Sequence, residues 1–383
     1  MDFRLTEEQK MIRDMTRKFV DDVVEPRAEE MEKTGEYPYD IMDQMADLGM
    51  MGIPFPEKYG GSGGDWVGMH LCIEELSRGD ATLGTLLDVT TSVVAQELYE
   101  FGTEEQKQKW LIPMAQGKEI GAFGLTEPGA GSDASATKTT AVLDGDEWVI
   151  NGTKQFITNI GLKNASIVII TAVTARADDK KKGNIIDTFI VPKGTPGFTL
   201  SKKYDKMGWR HSATHECVFE DCRIPKSYLL GEEGKGFAQH LAVLQTGRIS
   251  IGAVSVGLAQ ACFEASLRYA KERVQFGKPI YSFQGVSFKI ADMAMNIELA
   301  RNMVLKAAWM KDNDMPHTLE AAYAKLFASE MCEKVASDAY QVHGGYGFMN
   351  EYAVSRYYKA CKILQIVEGT SEVQRMVISR NLE

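Results

Sequence analysis

The 383-residue chain changes its hydrophobic pattern twice along its length. Both ends place apolar side chains at helical spacing, in stretches such as LTEEQKMIRDMTRKFV near the start and GVSFKIADMAMNIELA towards the end. The middle instead has short β-rich runs, such as ASIVIITAVTA and HECVFEDCRIP, with no helical stretch of useful length between them. This α, β, α order predicts three domains, covering residues 1–122, 123–229 and 230–383.

Each segment also indicates an architecture. Because no helices separate the middle strands, we predict an antiparallel sheet, with turns at Asp144-Gly145 and Asn151-Gly152. The C-terminal segment holds three long amphipathic stretches, and SEVQRMVISRNL supplies a fourth. Four long helices are typical of a bundle. The predicted fold class is therefore α+β and multidomain, with an all-α N-terminal domain, an antiparallel β domain and a C-terminal bundle.

Charge and cysteine usage exclude several classes of protein. The chain has 43 basic and 53 acidic residues, a net charge of −10, which argues against nucleic acid as the main partner. Its six cysteines form no C-x-x-C pair, so we expect reduced, buried thiols and neither a disulfide framework nor a metal site. The charged, helix-patterned N-terminus predicts no signal peptide, and we expect no apolar run long enough to span a bilayer. These features together predict a cytoplasmic protein.

Two segments of the middle domain are candidates for ligand contact, one rich in glycine and one with an aromatic residue. GLTEPGAGSDASAT, residues 124–137, combines hydroxyls with glycines that let backbone approach a ligand, although a plain interdomain loop has the same composition. KQFITNIG, residues 154–161, is expected to put Phe156 and Thr158 on one strand face, where they could flank a flat polar ring. The alternative is a core aromatic with a surface hydroxyl.

Two segments of the C-terminal domain are candidates for phosphate binding. In ERVQFGKPI, residues 272–280, Arg273 lies near a helix end and could pair with a phosphate, or be an ordinary solvated charge. In QVHGGYGF, residues 341–348, Gly344 and Gly345 follow a long helix and would also suit a simple helix C-cap.

The segment IVEGTSEVQR, residues 366–375, places the acid Glu368 directly after an apolar run. Ser371 and Gln374 match a capping box, so a helix is predicted to begin just after the glutamate, where amide dipoles favour an anion. Glu368 could simply offset the positive partial charge at the start of that helix. It could also be a general base in a partly dry pocket, since desolvation raises a carboxylate pKa towards neutrality.

Taken together, these motifs resemble those of the acyl-CoA dehydrogenases, a family of flavoproteins. LTEEQKMIRD, PEKYGGSGG, LTEPGAGSD, FITNIG, KMGWR, GRISIGAVSVGLAQ, ERVQFGKPI, QVHGGYGF and VEGTSEVQR all occur in the family's order, from one end of the chain to the other. The resemblance implies an FAD cofactor, an acyl-CoA substrate, a homotetramer built as a dimer of dimers, and electron-transferring flavoprotein as electron acceptor.

The same resemblance implies a role for Glu368 as the catalytic base. It would remove the α-proton of an acyl-CoA thioester while a hydride leaves the β-carbon for flavin N5. Hydrogen bonds to the thioester carbonyl, from the Glu368 amide and the flavin ribityl chain, would stabilise the enolate-like transition state. Some family members carry the base at a position that here is Gly247, which has no side chain to act as a base.

The resemblance also implies the residues that line the two ligands. The implied FAD contacts are Phe123, Leu125, Thr126, Ser132, Phe156, Thr158, Arg273, Phe276, Gln284, Gln341, Gly344, Gly345, Thr370 and Glu372. Some of these would reach the FAD of a neighbouring subunit. The implied substrate contacts are Asp88, Ser132, Arg248 and Gly369.

Two residues depart from the family pattern. Asp88, in LLDVTTSV, stands where many relatives carry serine in a region that faces the acyl chain. It could be a surface or capping aspartate, or it could shape an unusual acyl pocket, as a second acid/base or as a partner for a polar acyl group. An acyl group ending in carboxylate is then disfavoured, since like charges repel, whereas short, branched and alicyclic groups remain open. His211 stands where relatives often have glycine, with no role that the sequence predicts.

Three functions therefore remain. The first is α,β-desaturation of an acyl-CoA by an FAD-dependent dehydrogenase. The second is an enoyl-CoA or acrylyl-CoA reductase of the same fold, running in the opposite direction. The third is a non-catalytic acyl-CoA-binding protein, against which the presence of Glu368 argues.

Overall fold

Helices occupy both ends of the chain and strands its middle, as the hydrophobic pattern predicts. The computed structural model describes residues 4–175 and 184–382. The N-terminal α-helices are Glu7–Phe19 (α1), Ala28–Thr34 (α2), Tyr39–Asp47 (α3), Trp66–Gly79 (α4), Ala81–Leu87 (α5), Gln96–Phe101 (α6), Glu104–Gln106 (α7) and Ile112–Ala115 (α8). Wider π-helical turns lie at Val20–Val24, Asp88–Ala95 and Lys107–Leu111. The first helix begins at a capping box, because Thr6 Oγ1 accepts from Gln9 N at 3.2 Å and Gln9 Oε1 accepts from Thr6 N at 3.0 Å.

The middle of the chain forms an eight-stranded sheet with the order β6-β7-β3-β2-β4-β5-β8 and β1 paired to β4. The strands are Ile120–Gly124 (β1), Thr140–Asp144 (β2), Glu147–Thr158 (β3), Ala165–Ala175 (β4), Ile185–Pro192 (β5), Phe198–Leu200 (β6), Thr214–Pro225 (β7) and Leu229–Leu230 (β8). Most neighbours are antiparallel, which confirms the predicted fold class, but β1 and β2 each pair with β4 in parallel. The sequence pattern does not reveal these two pairings.

The two predicted turn dipeptides behave differently. Asp144-Gly145 connects the antiparallel strands β2 and β3, as predicted. Asn151-Gly152 forms no turn, so that prediction is wrong, and the pair instead lies inside β3 at a bulge in its pairing with β7. Gly152 has φ 148°, and a Cβ on it would lie 2.6 Å from Thr139 Cα. Close approach of the preceding segment therefore requires glycine here, not chain reversal.

The C-terminal domain is a helical bundle built around one long helix. Its helices are Gly236–Glu272 (α9), Gln284–Asp312 (α10), Thr318–His343 (α11), Ala353–Cys361 (α12) and Ser371–Arg380 (α13), with a short hairpin of Val274–Gln275 (β9) and Lys278–Pro279 (β10). Helix α9 packs against α10 and α11, and also against α4 of the N-terminal domain. The four-helix prediction is confirmed in its three long members, while the C-terminal stretch forms only the ten-residue α13.

Helix α9 also corrects the expectation that no segment could span a bilayer. By length and composition alone it is apolar enough to cross a membrane. However, 78% of its most apolar window is buried inside the protein, against helices of both helical domains. Its hydrophobicity is therefore that of a central core helix.

His211, for which the sequence suggests no role, joins the middle domain to the N-terminal one. Its Nε2 lies 3.0 Å from Asp80 Oδ1, and both residues are buried. The same Asp80 oxygen caps α5 by accepting from Thr82 N at 2.8 Å. Burial disfavours the histidine cation, but the charge and hydrogen bond of Asp80, with help from Glu32, raise the pKa of His211 to about 9. The histidine is therefore charged at neutral pH.

This ion pair predicts a loss of stability in alkaline solution. Because the folded-state pKa of His211 is raised above its ordinary 6.5, its contribution is complete below pH 6.5 and disappears as pH rises through about 9. We expect the free energy of unfolding to fall by roughly 1 to 3 kcal/mol across that window, measured by urea titration. His211→Gln should flatten this dependence, whereas His317→Gln, at a histidine whose pKa burial lowers, should leave it in place. An equal slope in wild type and His211→Gln would contradict the assignment.

Candidate active site

Glu368 lies at a sharp, locally strained bend between the 3₁₀ turn Lys362–Gln365 and α13. Its φ is 52°, a left-handed conformation that costs free energy for a residue with a side chain. The bend is held by Gln374 Nε2, which donates to the carbonyls of Glu368 at 3.1 Å and Gly369 at 2.9 Å, and by Lys325 Nζ, which donates to Gly369 O at 2.7 Å. These bonds fix the direction in which the Glu368 side chain leaves the backbone.

A helix does begin just after Glu368, but the predicted capping box is wrong by one residue. The N-cap is Thr370, whose Oγ1 accepts from Val373 N at 3.3 Å, and Ser371 is the first helical residue. Gln374 Nε2 donates to the two carbonyls of the bend, and in this orientation its Oε1, the atom that would accept from a Ser371 amide, has no hydrogen-bond partner.

The carboxylate of Glu368 reaches into the protein interior, although the residue as a whole is half-buried. Its Oε2 atom is buried and has no hydrogen-bond partner. A Cβ placed on Gly247 of α9 would lie only 2.1 Å from this oxygen. The absence of a side chain at residue 247 therefore creates the space that the Glu368 carboxylate occupies.

The segment that carries Asp88 meets the Glu368 carboxylate at Gly247, since a Cβ there would lie 2.1 Å from Glu368 Oε2 and 3.1 Å from Val93 Cγ2. Asp88 is close enough to Glu368 for each carboxyl group to shift the pKa of the other. It begins the π-helical segment Asp88–Ala95, is 0% exposed, and has no hydrogen-bond partner for either carboxylate oxygen. This excludes the surface alternative for Asp88. Burial, and then the charge of Glu368, raise the pKa of Asp88 well above its ordinary value. Burial also raises the pKa of Glu368, although the neighbouring Asp88 and the charges of Lys325 and Arg248 lower it.

Two cations approach the same site from different helices. Arg248 of α9 has a buried Nε with no hydrogen-bond partner, and Lys325 of α11 is 0% exposed. Burial lowers the pKa of Lys325 to about 8, although the Glu368 charge opposes that change. Arg248 is among the substrate contacts predicted from the sequence, whereas Lys325 is not. A signal for Lys325 exists, since it interrupts the alanine-rich face AAYAKLFA, where helical spacing predicts burial.

The segment at residues 124–137 is attached to β3 by a buried ion pair. Lys154 Nζ lies 2.8 Å from Glu127 Oε1 and also donates to Leu125 O at 3.2 Å. Burial would raise the pKa of Glu127, but the Lys154 charge and the hydrogen bonds that it accepts lower that pKa to about 2. A further bond from Gln155 N to Thr126 O, at 2.8 Å, brings Leu125 and Thr126 next to the Phe156 backbone.

Phe156 does not follow the regular strand alternation that the sequence predicts. Its φ is 62°, and the pairing of β3 with β7 shifts between Lys154 and Ile157. The Phe156 ring is 60% exposed and lies 5.5 Å from the ring of Tyr204, so the core alternative for Phe156 is also wrong. Thr158, two residues further along, is half-buried.

Strand β1 carries Phe123, a predicted FAD contact, and lies near the segment that carries Asp88. Phe123, on β1, stacks on His240 with ring centroids 3.8 Å apart. The buried Asn159 follows β3 and donates to Gly121 O on β1 at 3.3 Å and to Thr90 Oγ1 at 3.4 Å. Because Thr90 lies two residues after Asp88, these bonds tie both strands to the π-helical segment.

The remaining candidates form a second group at the end of the bundle. Arg273, the C-cap of α9, borders a cavity of about 550 Å³ together with Gly344 and Gly345. Gly344, with φ 59°, is also the C-cap of α11, so the capping interpretation holds alongside the cavity. Phe276 is 92% exposed, and neither it nor Gln284 or Gln341 lines this cavity.

The donor set at these two places fits a flavin dinucleotide. A Cβ added to Gly129 or Gly131 would meet nothing within 4 Å, which leaves the backbone of the 124–137 loop open to a ligand. Phe156 offers an exposed aromatic face. The Arg273 guanidinium lies 5.2 Å from the centroid of the Tyr346 ring and has no ion pair within the described residues, so its N–H groups can pair with a phosphate. No group of histidine, cysteine and acidic side chains suited to a metal occurs in the described residues. All six cysteines are buried and free, as predicted.

Sequence profiles of three domains match the chain. The acyl-CoA dehydrogenase N-terminal domain matches residues 6–118, the middle domain residues 122–222, and the C-terminal domain residues 234–383. The chain is 54% identical to the probable acyl-CoA dehydrogenase YngJ of Bacillus subtilis, covering 100% of both chains. It is 43% identical to an acryloyl-CoA reductase (NADH) of Anaerotignum propionicum, covering 100% of this chain and 96% of the relative.

Solved structures agree with these sequence matches. Butyryl-CoA dehydrogenase from Megasphaera elsdenii superposes with a TM-score of 0.95 at 45% identity, over 100% of both chains. A chain from work on the electron transferring flavoprotein of Acidaminococcus fermentans superposes with a TM-score of 0.96 at 47% identity, over 100% of this chain and 99% of the other. The chain therefore belongs to the acyl-CoA dehydrogenase family of FAD-dependent oxidoreductases.

Proposed function

We propose that this enzyme oxidises a saturated acyl-CoA to its α,β-unsaturated thioester, with Glu368 as the base that removes the α-proton. The observation that carries the proposal is the buried, unpartnered Oε2 of Glu368, held in the space beside Gly247. An oxygen without a hydrogen-bond partner is free to accept a substrate proton. Burial raises the pKa of Glu368, which makes it a stronger base than an exposed carboxylate.

We assign FAD binding to two regions of the chain. When bound, FAD accepts the hydride that leaves the β-carbon. The residues proposed to hold it are Phe123, Leu125, Thr126, Ser132, Phe156, Thr158, Arg273, Phe276, Gln284, Gln341, Gly344, Gly345, Thr370 and Glu372. The open backbone of the 124–137 loop supports the first part of this set, and the cavity beside Arg273 supports the second.

We further propose the homotetramer, a dimer of dimers, in which some of these residues reach the FAD of a neighbouring subunit. Helix α10 supports an assembly, because Phe288, Met295 and Leu299 are exposed at spacings that put them on one helical face. Phe276, which is 92% exposed, precedes that helix. An apolar face of this kind is stabilised when a second subunit covers it.

The proposed acyl-CoA contacts are Asp88, Ser132, Arg248 and Gly369. Asp88 and Glu368 already place two carboxyl groups in one buried pocket, so an acyl chain ending in a third carboxylate is disfavoured. We therefore propose a short, branched or alicyclic acyl group, such as a cyclohexanecarboxyl thioester. The similarity to a butyryl-CoA dehydrogenase supports the short-chain member of this set.

A second candidate function is reduction of an enoyl-CoA or acryloyl-CoA. It is favoured by the 43% identity to the acryloyl-CoA reductase (NADH) of Anaerotignum propionicum. The same Glu368 would then deliver a proton to the α-carbon instead of removing it. The alternative of a non-catalytic acyl-CoA-binding protein is disfavoured, since a buried, unpartnered carboxylate costs stability that a mere binding protein does not need.

For the electron acceptor we propose electron-transferring flavoprotein, and we propose a cytoplasmic location. The similarity to the chain from work on such a flavoprotein in Acidaminococcus fermentans supports this partner. The exposed ring of Phe156 lies next to the half-buried ring of Tyr204 and would give a partner an aromatic contact near the flavin.

The test is anaerobic flavin reduction by butyryl-CoA, isovaleryl-CoA and cyclohexanecarboxyl-CoA, in wild type and Asp88→Ser. If Asp88 lines the acyl pocket, its replacement should change the ranking of straight-chain against cyclic substrates several-fold, because the pocket gains volume and loses a carboxyl group. Thr91→Ser is the matched control, since it lies on the same π-helical segment and keeps the hydroxyl that bonds Met51 O. An unchanged ranking in Asp88→Ser would remove Asp88 from the substrate contacts.

A further inference from the structure

Asp88 and Glu368 form a buried pair of carboxyl groups, and this pair has chemical consequences for the proposed base. Both oxygens of Asp88 and the Oε2 of Glu368 are buried without a hydrogen-bond donor. Two ionised carboxylates side by side in a dry pocket repel each other strongly, so such pairs take up one proton and share it. The neighbours of the pair decide which of the two carboxyl groups holds that proton.

Those neighbours differ on the two sides of the pair. The side of Glu368 faces cations, since Lys325 bonds the adjacent Gly369 carbonyl and Arg248 comes from α9. Lys325 and Arg248 therefore favour a negative charge on Glu368.

On the side of Asp88 the neutral Ser250 hydroxyl acts on its pKa, and no cation among the described residues does so. Ser250 Oγ is bonded to Ser92 Oγ at 2.9 Å and lies 3.2 Å from His70 Nε2. His70 Nδ1 donates to Trp66 O at 2.6 Å, which leaves Nε2 as an acceptor. Burial lowers the pKa of His70 to about 4, so this histidine is uncharged at neutral pH. With no cation on its side, Asp88 is the more favourable place for the proton.

We propose that neutral Asp88 donates a hydrogen bond to ionised Glu368 and thereby sets the pH at which the base becomes active. This inference rests on the proposed function of Glu368. In the reaction the α-C–H bond breaks and its proton joins Glu368, while the Asp88 O–H bond is kept. The pair then holds two protons, one of which leaves to water before the next turnover. Asp88 is a positioning residue here, and Glu368 remains the base.

The first test is the pH dependence of the flavin-reduction rate in wild type, Asp88→Leu and Asp88→Asn. A hydrogen-bond donor stabilises an ionised carboxylate. Its loss in Asp88→Leu should therefore shift the acidic limb of the profile to higher pH, by about one to two units. Asp88→Asn keeps an N–H donor, so its acidic limb should lie at nearly the same pH as that of wild type. The limb is read below pH 8, because Lys325, with a pKa of about 8, also titrates beside the pair.

Asp43→Asn, the same change at an exposed aspartate, is the control and should leave the profile unchanged. A limb at the same pH in Asp88→Leu and wild type would overturn the proposal. An equal displacement in the Leu and Asn variants would also overturn it, because it would show an effect of packing and not of a donor.

The second test needs no turnover and therefore stands apart from the proposed function. Infrared difference spectra at neutral pH should contain a carbonyl band of a protonated carboxylic acid in wild type. The band should persist in Glu368→Gln and vanish in Asp88→Asn. Its absence from wild type would overturn the shared proton.

A failure of the proposed dehydrogenation can be told apart from a failure of the shared proton. If no saturated acyl-CoA reduces the flavin while the infrared band assigns a proton to Asp88, the proposed dehydrogenation fails and the pair stands. If acyl-CoA reduces the flavin and the band is missing, the enzyme is a dehydrogenase whose base works without Asp88.

Discussion

Glu368→Gln should bind FAD and acyl-CoA as wild type does and yet reduce its flavin about 10²- to 10⁴-fold more slowly. Glutamine has nearly the same shape as glutamate, so the bend held by Gln374 and Lys325 should survive. What it lacks is an oxygen that can take up a proton at neutral pH. The measurement is the rate at which flavin absorbance is lost after anaerobic mixing with a saturated acyl-CoA, with FAD content and acyl-CoA affinity determined separately.

Glu351→Gln provides the matched control for that variant. Glu351 is exposed and lies in the same C-terminal region, away from the carboxyl pair, so its replacement should leave the rate unchanged. Near-normal flavin reduction in Glu368→Gln would show that another group removes the proton. Loss of FAD from the variant would instead indicate that Glu368 has a structural role.

Gly247→Ala should slow flavin reduction about 10²-fold or more without removing the base. The new methyl group would lie 2.1 Å from Glu368 Oε2, far inside contact distance, so the carboxylate must move. A displacement of about 1 Å at a reacting group costs on the order of 10²-fold in rate. Crowding in a packed site should also lower the free energy of unfolding by about 1 to 3 kcal/mol.

The control for this variant is Gly285→Ala, also a glycine within a long helix. A Cβ at residue 285 meets nothing within 4 Å, so its effect is limited to helix propensity, a gain of about 1 kcal/mol or less. Flavin reduction and unfolding are measured on both variants. A Gly247→Ala enzyme with a normal rate would contradict the position of the Glu368 carboxylate.

Features that depend on neighbours in the sequence are predictable from the sequence. The order of helical and β segments follows from hydrophobic period, and the Thr6–Gln9 capping box follows from side chains three residues apart. The box predicted at Ser371 fails by one residue, because Gln374 is drawn to the Glu368 and Gly369 carbonyls instead. The turn predicted at Asn151-Gly152 fails because the strand continues there, with the segment at Thr139, next to the paired strand β2, packed against that glycine.

The chemistry of the candidate site depends on contacts between distant parts of the chain. Glu368 is recognisable from its motif, but its partner Asp88 lies on an N-terminal segment and its cation Lys325 on another helix. His211 acquires a role only because the fold brings it to Asp80. Local patterns carry no information on such contacts. The sequence therefore singles out Asp88 only as a departure from the family pattern and does not predict its contact with Glu368.

The most direct test of the central claim is anaerobic titration of the FAD-loaded enzyme with saturated acyl-CoAs, following flavin absorbance and product together. We expect at least one short, branched or alicyclic acyl-CoA to bleach the flavin and to yield its α,β-unsaturated thioester, one molecule for each flavin reduced. A flavin that stays oxidised with every saturated thioester, but is reoxidised by an enoyl-CoA after chemical reduction, would contradict dehydrogenation and establish the reductase direction.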